Sequence, residues 1–270
     1  MDLVFTKWVG TGNDFILVDL RKKKKAFSRK HWASLAQKLC RRQEGIGADG
    51  LLILEHSPKT DFRMRIFNPD GTEAQMCGNG SRCAAAYVAH SKNGNVQFET
   101  LAGLLEAEVK KDTVKVKLTK PFDIRTSVFL DLLGNRFELH TINTGVPHAV
   151  LFVEDLDRTD VHYIGREIRF HSYFQPVGTN VNFVKPEGKE EILIRTYERG
   201  VEGETLSCGT GATASALITA ILKGFSSPVT VLTKGGDRLK IYFKKKGDAI
   251  ENVYLEGKVA CIFEGRVSDV

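Results

Sequence analysis

Two cysteines stand out by what surrounds them. Cys77 lies in MCGNGSRC (76–83) and Cys208 lies in SCGTGATA (207–214). Each is followed by glycines and then by a run of small apolar residues of helical length, which places the cysteine just before a buried helix. The first N–H groups of a helix have no partner within it and carry the positive end of its dipole. Glycine lets those groups approach a ligand closely. Such a place binds a carboxylate and lowers the pKa of a thiol. A thiol tuned in this way takes up a proton as thiolate and returns one as thiol.

Two such thiols facing each other across a closing cleft point to a particular reaction. One removes a proton from one face of a carbon, the other delivers a proton to the opposite face, and the stereocentre inverts. The α-proton of an amino acid is very weakly acidic, so the carbanion must be stabilised. Two helix N-termini aimed at the α-carboxylate can do this, more strongly in a dry cleft. The scheme needs no cofactor. Neither a Gly-Lys-Ser/Thr phosphate loop nor a dinucleotide-binding fingerprint is read in the chain, and no lysine is singled out as a pyridoxal carrier.

The remaining cysteines, Cys40, Cys83 and Cys261, read as small buried apolar residues. Five cysteines and no secretion signal argue against a disulfide framework. None forms a CxxC pair, so no zinc ribbon or other metal site is expected. The N-terminus MDLVFTKWVG is not a signal peptide, and no apolar stretch approaches the ~20 residues of a membrane span. The expected location is cytoplasmic, without membrane partners. The net charge of +6 is modest for 270 residues. The basic runs RKKKK (21–25) and KKK (244–246) have no aromatic residues among them, so they read as solvated segments and not as a nucleic-acid platform.

The elements that must position the two cysteines are written twice. RIFNPDGTEAQMCGNG (65–80) resembles RTYERGVEGETLSCGTG (195–211), pairing Arg65 with Arg195, Asn68 with Glu198 and Cys77 with Cys208. GADGLLILE pairs with GTNVNFVKPE, GTGNDFILVDL with NTGVPHAVLFVEDL, and ETLAG with LTKGG, all at an offset near 130. A repeated order at one offset reads as a duplicated domain. The expected halves are 1–125, carrying Cys77, and 126–270, carrying Cys208. Short β-branched or alternating segments dominate each half. The stretch 29–42 has Trp32, Leu35, Ala36 and Leu39 at helical spacing, and 157–171 is its counterpart. The expected class is α+β: two pseudo-symmetric domains, each a curved, mostly antiparallel sheet wrapped around a central buried helix.

At these residues the chain resembles the diaminopimelate epimerase family. The resemblance is carried by GTGNDF (10–15), GIGADG (45–50), FNPDGTEAQMCGNGSRC (67–83), GTNVNF (178–183) and YERGVEGETLSCGTG (197–211), spread through nearly the whole chain. It implies interconversion of L,L- and meso-diaminopimelate on the way to lysine and peptidoglycan. It also implies a cofactor-independent mechanism on two thiols, and a homodimer. Residue by residue, it implies that Cys77 and Cys208 are the acid–base pair. Asn13, Asn68, Asn180, Glu198 and Arg199 would bind the polar groups of the substrate. The backbone at Gly78, Asn79, Gly209 and Thr210 would hold the reacting carboxylate, with His148 in support. Diaminopimelate has two amino-acid ends and only one reacts, so the other must be read by its charge. Arg199 can hold a carboxylate with two prongs, Glu198 can accept from an ammonium, and asparagines can do both.

Some positions depart from the family pattern. Val146 stands where many relatives have Asn, Gly50 where some have Gln, and Thr72 where Ser is usual. The loop ERGVEGET before Cys208 is one residue longer than in some relatives. Val146 bears on how the distal end of the substrate is recognised. Other readings stay open at this level. They are a glutamate, proline or hydroxyproline epimerase on the same scaffold, a basic RNA- or partner-binding module, and a redox sensor built on the cysteine pair.

Overall fold

The structure, a computed structural model, describes residues 2–23, 27–90, 93–247 and 249–268. Lys24 and Lys25 of the first basic run lie outside the described residues, as do Ser91 and Lys92 at the end of a stretch expected to be helical. Among the described residues the fold is a mixed α/β arrangement with many strands and four α-helices. None of these helices is long and apolar enough to cross a membrane.

The chain divides into two compact units, one running up to Lys117 and resuming at Gly257, the other running from Leu118 to Glu256. The first contains β1 (Leu3–Gly10), β2 (Asn13–Asp19), α1 (Arg29–Leu39), β3 (Gly50–Glu55), β4 (Phe62–Phe67), β5 (Glu73–Ala74), α2 (Gly78–Val88), β6 (Gly94–Thr100), β7 (Gly103–Lys110) and β8 (Thr113–Lys117). β1 is antiparallel to β2, β2 parallel to β3, and β3 antiparallel to β4. β4 is antiparallel to β5 and parallel to β6, and β6, β7 and β8 form a meander. Two parallel pairs require two crossovers, and α1 and α2 are those crossovers. The segment 105–118 holds a hairpin that turns where Lys111 takes a φ of 55°.

The second unit contains β9 (Phe122–Leu132), β10 (Asn135–Asn143), β11 (Pro147–Phe152), α3 (Val161–Phe170), β12 (Asn180–Glu187), β13 (Glu191–Glu198), β14 (Gly203–Thr205), α4 (Gly209–Lys223), β15 (Val229–Leu232), β16 (Arg238–Lys246) and the first part of β17 (Ala249–Val267). Its pairings run in the same order. β10 is antiparallel to β11, β11 parallel to β12, β12 antiparallel to β13, and β13 antiparallel to β14 and parallel to β15, with β15, β16 and β17 as the meander.

The units differ from the expected halves in their last strands. From Gly257 onward β17 belongs to the first unit, because Val259–Val267 forms a ladder with all of β1, from Leu3↔Val267 to Gly10↔Val259. Residues 118–125 fall in the second unit, where β9 pairs with β10. Cys261 is likewise not the buried residue its type suggests. It is exposed, on a run of β17 that leaves 260–264 open to solvent. Cys40 and Cys83 are buried as expected.

Helices α1 and α3 are amphipathic, and α2 and α4 are not. α1 buries Trp32, Leu35, Ala36 and Leu39, the stripe read from spacing, and is capped by Ser28, whose side chain accepts from His31 N. Full burial of Trp32 alone stabilises by about 2–3 kcal/mol. By contrast, α2 is buried from Gly78 to Ala86 and meets β1, β2, β3, β4, β7 and β8 of its own unit. α4 is buried from Gly211 to Ala220 and meets β10, β11, β12, β13, β15 and β16. Alanines, glycines and hydroxyl residues keep these helices thin enough for strands to close around them. Gly45, Gly47 and Gly50 do have the glycine spacing of a dinucleotide fingerprint. They lead into strand β3, however, whereas the fingerprint opens a helix.

Candidate active site

Cys77 and Cys208 are built alike. Each is the N-cap of its helix in extended conformation, Cys77 at φ −141° and ψ 119°, Cys208 at φ −127° and ψ 109°. Each carbonyl receives the first helical hydrogen bond at 2.8 Å, from Ser81 and from Ala212. Each sulfur accepts a backbone N–H three residues on, Gly80 N at 3.5 Å and Gly211 N at 3.4 Å. An N–H aimed at sulfur favours thiolate over thiol. The other cysteines have no such setting. Burial pushes the Cys40 thiol up to about 11 and the Cys83 thiol up to about 12, while burial and then Glu264 raise Cys261.

In the first unit the start of α2 is joined to the β1–β2 turn. Asn79 Nδ2 donates to Asn13 Oδ1 at 2.6 Å and to Thr11 O at 3.3 Å. Asn79 Oδ1 accepts from Thr11 Oγ1 at 3.0 Å and from Arg82 Nη2 at 2.8 Å. Asn13 Nδ2 continues to Asp49 Oδ2 at 3.0 Å. Beside it, burial alone would raise the Asp14 carboxyl, but hydrogen bonds and charge from Arg42 and Lys7 outweigh it and hold it at about 2. Asn13, Asn79 and Cys77 are thus brought together. Asn68 stands apart from this network. Its side chain donates to Thr72 Oγ1 at 2.9 Å within the β4–β5 turn. There Thr72 donates to Asp70 Oδ1 at 2.6 Å.

In the second unit Asn180 Oδ1 accepts from Arg199 N at 2.8 Å, and Arg199 Nη1 donates to Val177 O at 2.9 Å. Glu198 ends β13 just before that arginine, half-buried. Thr210 Oγ1 lies 3.4 Å from Cys208 Sγ, and Thr144 Oγ1 donates to Thr210 O at 3.1 Å. His148 is 1% exposed; burial, and then the charge of Arg199, push it down to about 3, so it is a neutral imidazole. A cavity of about 230 Å³ lies against His148, Val177 and Thr179. Another, of about 540 Å³ and lined by Arg136, His140 and Asp160, contains none of the expected site residues.

The profile of the diaminopimelate epimerase family matches residues 5–122 and 140–262. The diaminopimelate epimerase of Aquifex aeolicus (strain VF5) is 46% identical over 277 aligned positions, which cover 98% of each chain. The chain belongs to the diaminopimelate epimerase family. Its activity is that of the family, the isomerisation of diaminopimelate in lysine biosynthesis. The diaminopimelate epimerase of Hydrogenobaculum sp. (strain Y04AAS1) is 43% identical, with 98% of this chain and 99% of that one covered. A PhzF-family phenazine biosynthesis protein of Bacillus anthracis superposes with a TM-score of 0.78 over 99% of both chains at 16% identity. At that identity the likeness is one of fold, the mixed α/β fold that the epimerase family and the PhzF proteins share.

Within the epimerase family's pattern, the structure accounts for two departures. A Cβ at Gly50 would lie 3.3 Å from Phe67 O and 3.4 Å from Phe15 Cδ1, so Phe15 fills the room a longer side chain would need. Val146 stands in the β10–β11 turn, where its carbonyl accepts from Thr144 N at 3.2 Å. That bond needs backbone alone, so the turn forms without the asparagine.

Three positioning elements escaped sequence reasoning. Asn182 Nδ2 donates to His148 Nδ1 at 3.1 Å and to Ala149 O at 3.0 Å, and its Oδ1 accepts from Thr196 at 3.0 Å. A Cβ at Gly211 would lie 2.3 Å from that same Oδ1, so the α4 glycine makes room for Asn182. Arg82, fully buried on α2, donates to Thr11, Asn79 and Gly78. The third element is a pair of two-pronged ion pairs, Arg65–Glu73 and Arg195–Glu204. Its signal was present in the repeat, where a glutamate stands four residues before each cysteine.

Proposed function

We propose that Cys77 and Cys208 are the two proton-transfer groups of the epimerase, each serving one face of the substrate's α-carbon. The observation that carries this is the identical local build of the two residues. Each is an N-cap whose sulfur accepts the N–H of the third helical residue. One thiolate takes the α-proton as the other thiol gives its own, so the proton count of the pair is conserved in each turnover. Backbone N–H groups at Gly78, Asn79, Gly209 and Thr210 face the charge that develops on the reacting carboxylate. Arg199 holds the distal carboxylate, Glu198 and the asparagines Asn13, Asn68 and Asn180 hold the ammonium groups, and His148 supports the second unit's site as a neutral group.

The finer architecture follows from the same repetition. The recurring order of antiparallel and parallel pairings supports two pseudo-symmetric domains derived by duplication, each a curved sheet around α2 or α4. The homodimer belongs to this reading too. Val4 at 63%, Ile262 at 56% and Phe263 at 46% exposure, on the paired strands β1 and β17, supply apolar surface for it. A cytoplasmic location suits a mechanism that needs two reduced thiols.

The test is proton NMR of the reduced protein in D2O with diaminopimelate, glutamate and proline in separate tubes. Loss of the α-proton signal with diaminopimelate alone is expected. Exchange in Cys77→Ala or Cys208→Ala at the wild-type rate would overturn the two-thiol assignment.

A further inference from the structure

In the second unit one loop leads into Asn180 at the start of β12 and another begins at Arg199 after Glu198 ends β13, and one arginine of α3 touches both. Arg169, in the last turn of α3, donates through Nε and Nη2 to Glu202 Oε1 at 3.3 and 3.1 Å. Its side chain is 13% exposed. Glu202 lies in the loop whose length departs from that of some relatives. Its carboxylate also accepts Gly200 N at 3.0 Å and the Tyr197 hydroxyl at 3.4 Å. Its own N–H closes on Glu198 O at 2.9 Å. Glu202 holds a φ of 54°, a left-handed conformation unfavourable for a residue with a Cβ. Such a conformation persists only where the surroundings over-determine it, and here five hydrogen bonds do.

The other side of the same guanidinium lies against Gly178. A Cβ there would fall 1.9 Å from Arg169 Nη1, and φ is +71°. Gly178 stands between Val177, whose carbonyl accepts from Arg199 Nη1, and Thr179–Asn180, whose amide oxygen accepts from Arg199 N. Arg169 is therefore wedged between the loop that carries Arg199 and the loop that Arg199 grips.

We propose that Arg169 and Glu202 are positioning residues that preset Arg199 for the non-reacting carboxylate of diaminopimelate. This rests on the assignment of Arg199 to that carboxylate. Neither residue touches substrate. They keep the competent loop arrangement populated, and apparent affinity falls in proportion as that population falls. Proton transfer is untouched, so the loss appears as uniform binding: KM rises and kcat holds.

The experiment is steady-state kinetics of the full-length enzyme with diaminopimelate for Arg169→Gln, Glu202→Gln, the double variant, Arg169→Lys and Arg199→Gln. The expected result is a KM raised about five- to tenfold in Arg169→Gln and in Glu202→Gln. The double variant shows no further rise, because both changes remove one pair, and Arg169→Lys recovers part of the loss. kcat stays within about twofold in the Arg169 and Glu202 variants. If Arg199→Gln raises KM while the two single variants do not, the inference fails and the reading of Arg199 stands. If Arg199→Gln leaves KM unchanged, the reading of the distal end fails and takes this inference with it. A fall in kcat at constant KM in Arg169→Gln or Glu202→Gln also overturns it. Glu202→Gln keeps the size and shape of the side chain, so it carries the test alone should Arg169→Gln not fold.

Discussion

Arg195 Nε donates to Glu204 Oε1 at 2.6 Å, four residues before Cys208, and Arg65 Nε donates to Glu73 Oε1 at 2.6 Å, four residues before Cys77. In each unit the second prong closes the pair, at 2.8 and 3.1 Å. The glutamate sits on the short strand that runs into the cysteine, β5 or β14, and the arginine on its neighbour, β4 or β13. Arg195 goes further and donates to Leu156 O and Thr159 O, tying the approach to α3 into the same clamp. The strand that runs into each cysteine is thereby held by a charge-assisted pair.

Glu204→Gln and Glu73→Gln should each lower stability near neutral pH by about 1–3 kcal/mol, since each strips the charge from a partly buried two-pronged pair. The sign with pH follows from the carboxyls. The hydrogen bond from Arg195 holds Glu204 below its ordinary value. For Glu73, burial acts the other way and is outweighed by Arg65 and Arg29. Depressed carboxyls contribute stability above their unfolded pKa and lose it as pH falls through the folded one. Urea unfolding should show variants and wild type converging on acidification below about pH 4.5. A gap that widens there would contradict the clamp.

Thiol alkylation should separate the five cysteines. Cys77, half-buried, should be modified by iodoacetamide ahead of the more buried Cys208, each with loss of activity, while Cys83 and Cys40, raised by burial, resist in the native state. Cys261, exposed, should react without loss of activity. Cys83→Ala should retain a rate within a few-fold of wild type. Peptide mass spectrometry against residual activity decides this, and inactivation that tracks Cys83 would reverse the assignment.

His148 should make the protein acid-sensitive. Its folded pKa is pushed down by burial and by Arg199, to about 3, so the unfolded chain binds a proton that the folded one refuses. The contribution is fully present above about pH 6.5 and falls by about 1.4 kcal/mol per pH unit as pH drops toward 3. In His148→Gln that slope should flatten between pH 6 and 4, as read by thermal melting across pH. An unchanged slope would mean that His148 ionises normally.

Arg82→Met should cost about 2 kcal/mol, because Asn79 Oδ1 and Thr11 Oγ1 lose a buried charged donor. It should also slow turnover by about tenfold, because Asn79 orients Asn13 through the 2.6 Å bond between them. Arg82→Lys should recover part of both losses. If Arg82→Met loses stability and keeps full kcat, Arg82 is a packing residue alone.

Much of the fold was legible because its signals are local. Helix α1 was readable from Trp32, Leu35, Ala36 and Leu39, which recur at 3.6-residue spacing. The buried character of α2 and α4 was readable from their runs of small and apolar residues. The exposure of Cys261 was not, because residue type carries no information on whether a strand face is covered. The recruitment of Val259–Val267 by β1 was equally hidden, since a ladder between the two ends of the chain leaves no periodic trace.

The sequence by itself determined the two cysteines, their glycines, the repeat that carries them and the family, because each of these is a matter of residue type and spacing along the chain. Only the tertiary structure decided which side chains serve those cysteines. Asn182 under His148, Arg82 against Thr11, and Arg169 against Glu202 each lie more than 30 residues from the partner they hold. Hydrogen bonds and steric contacts act across a few ångströms of space and not along the chain.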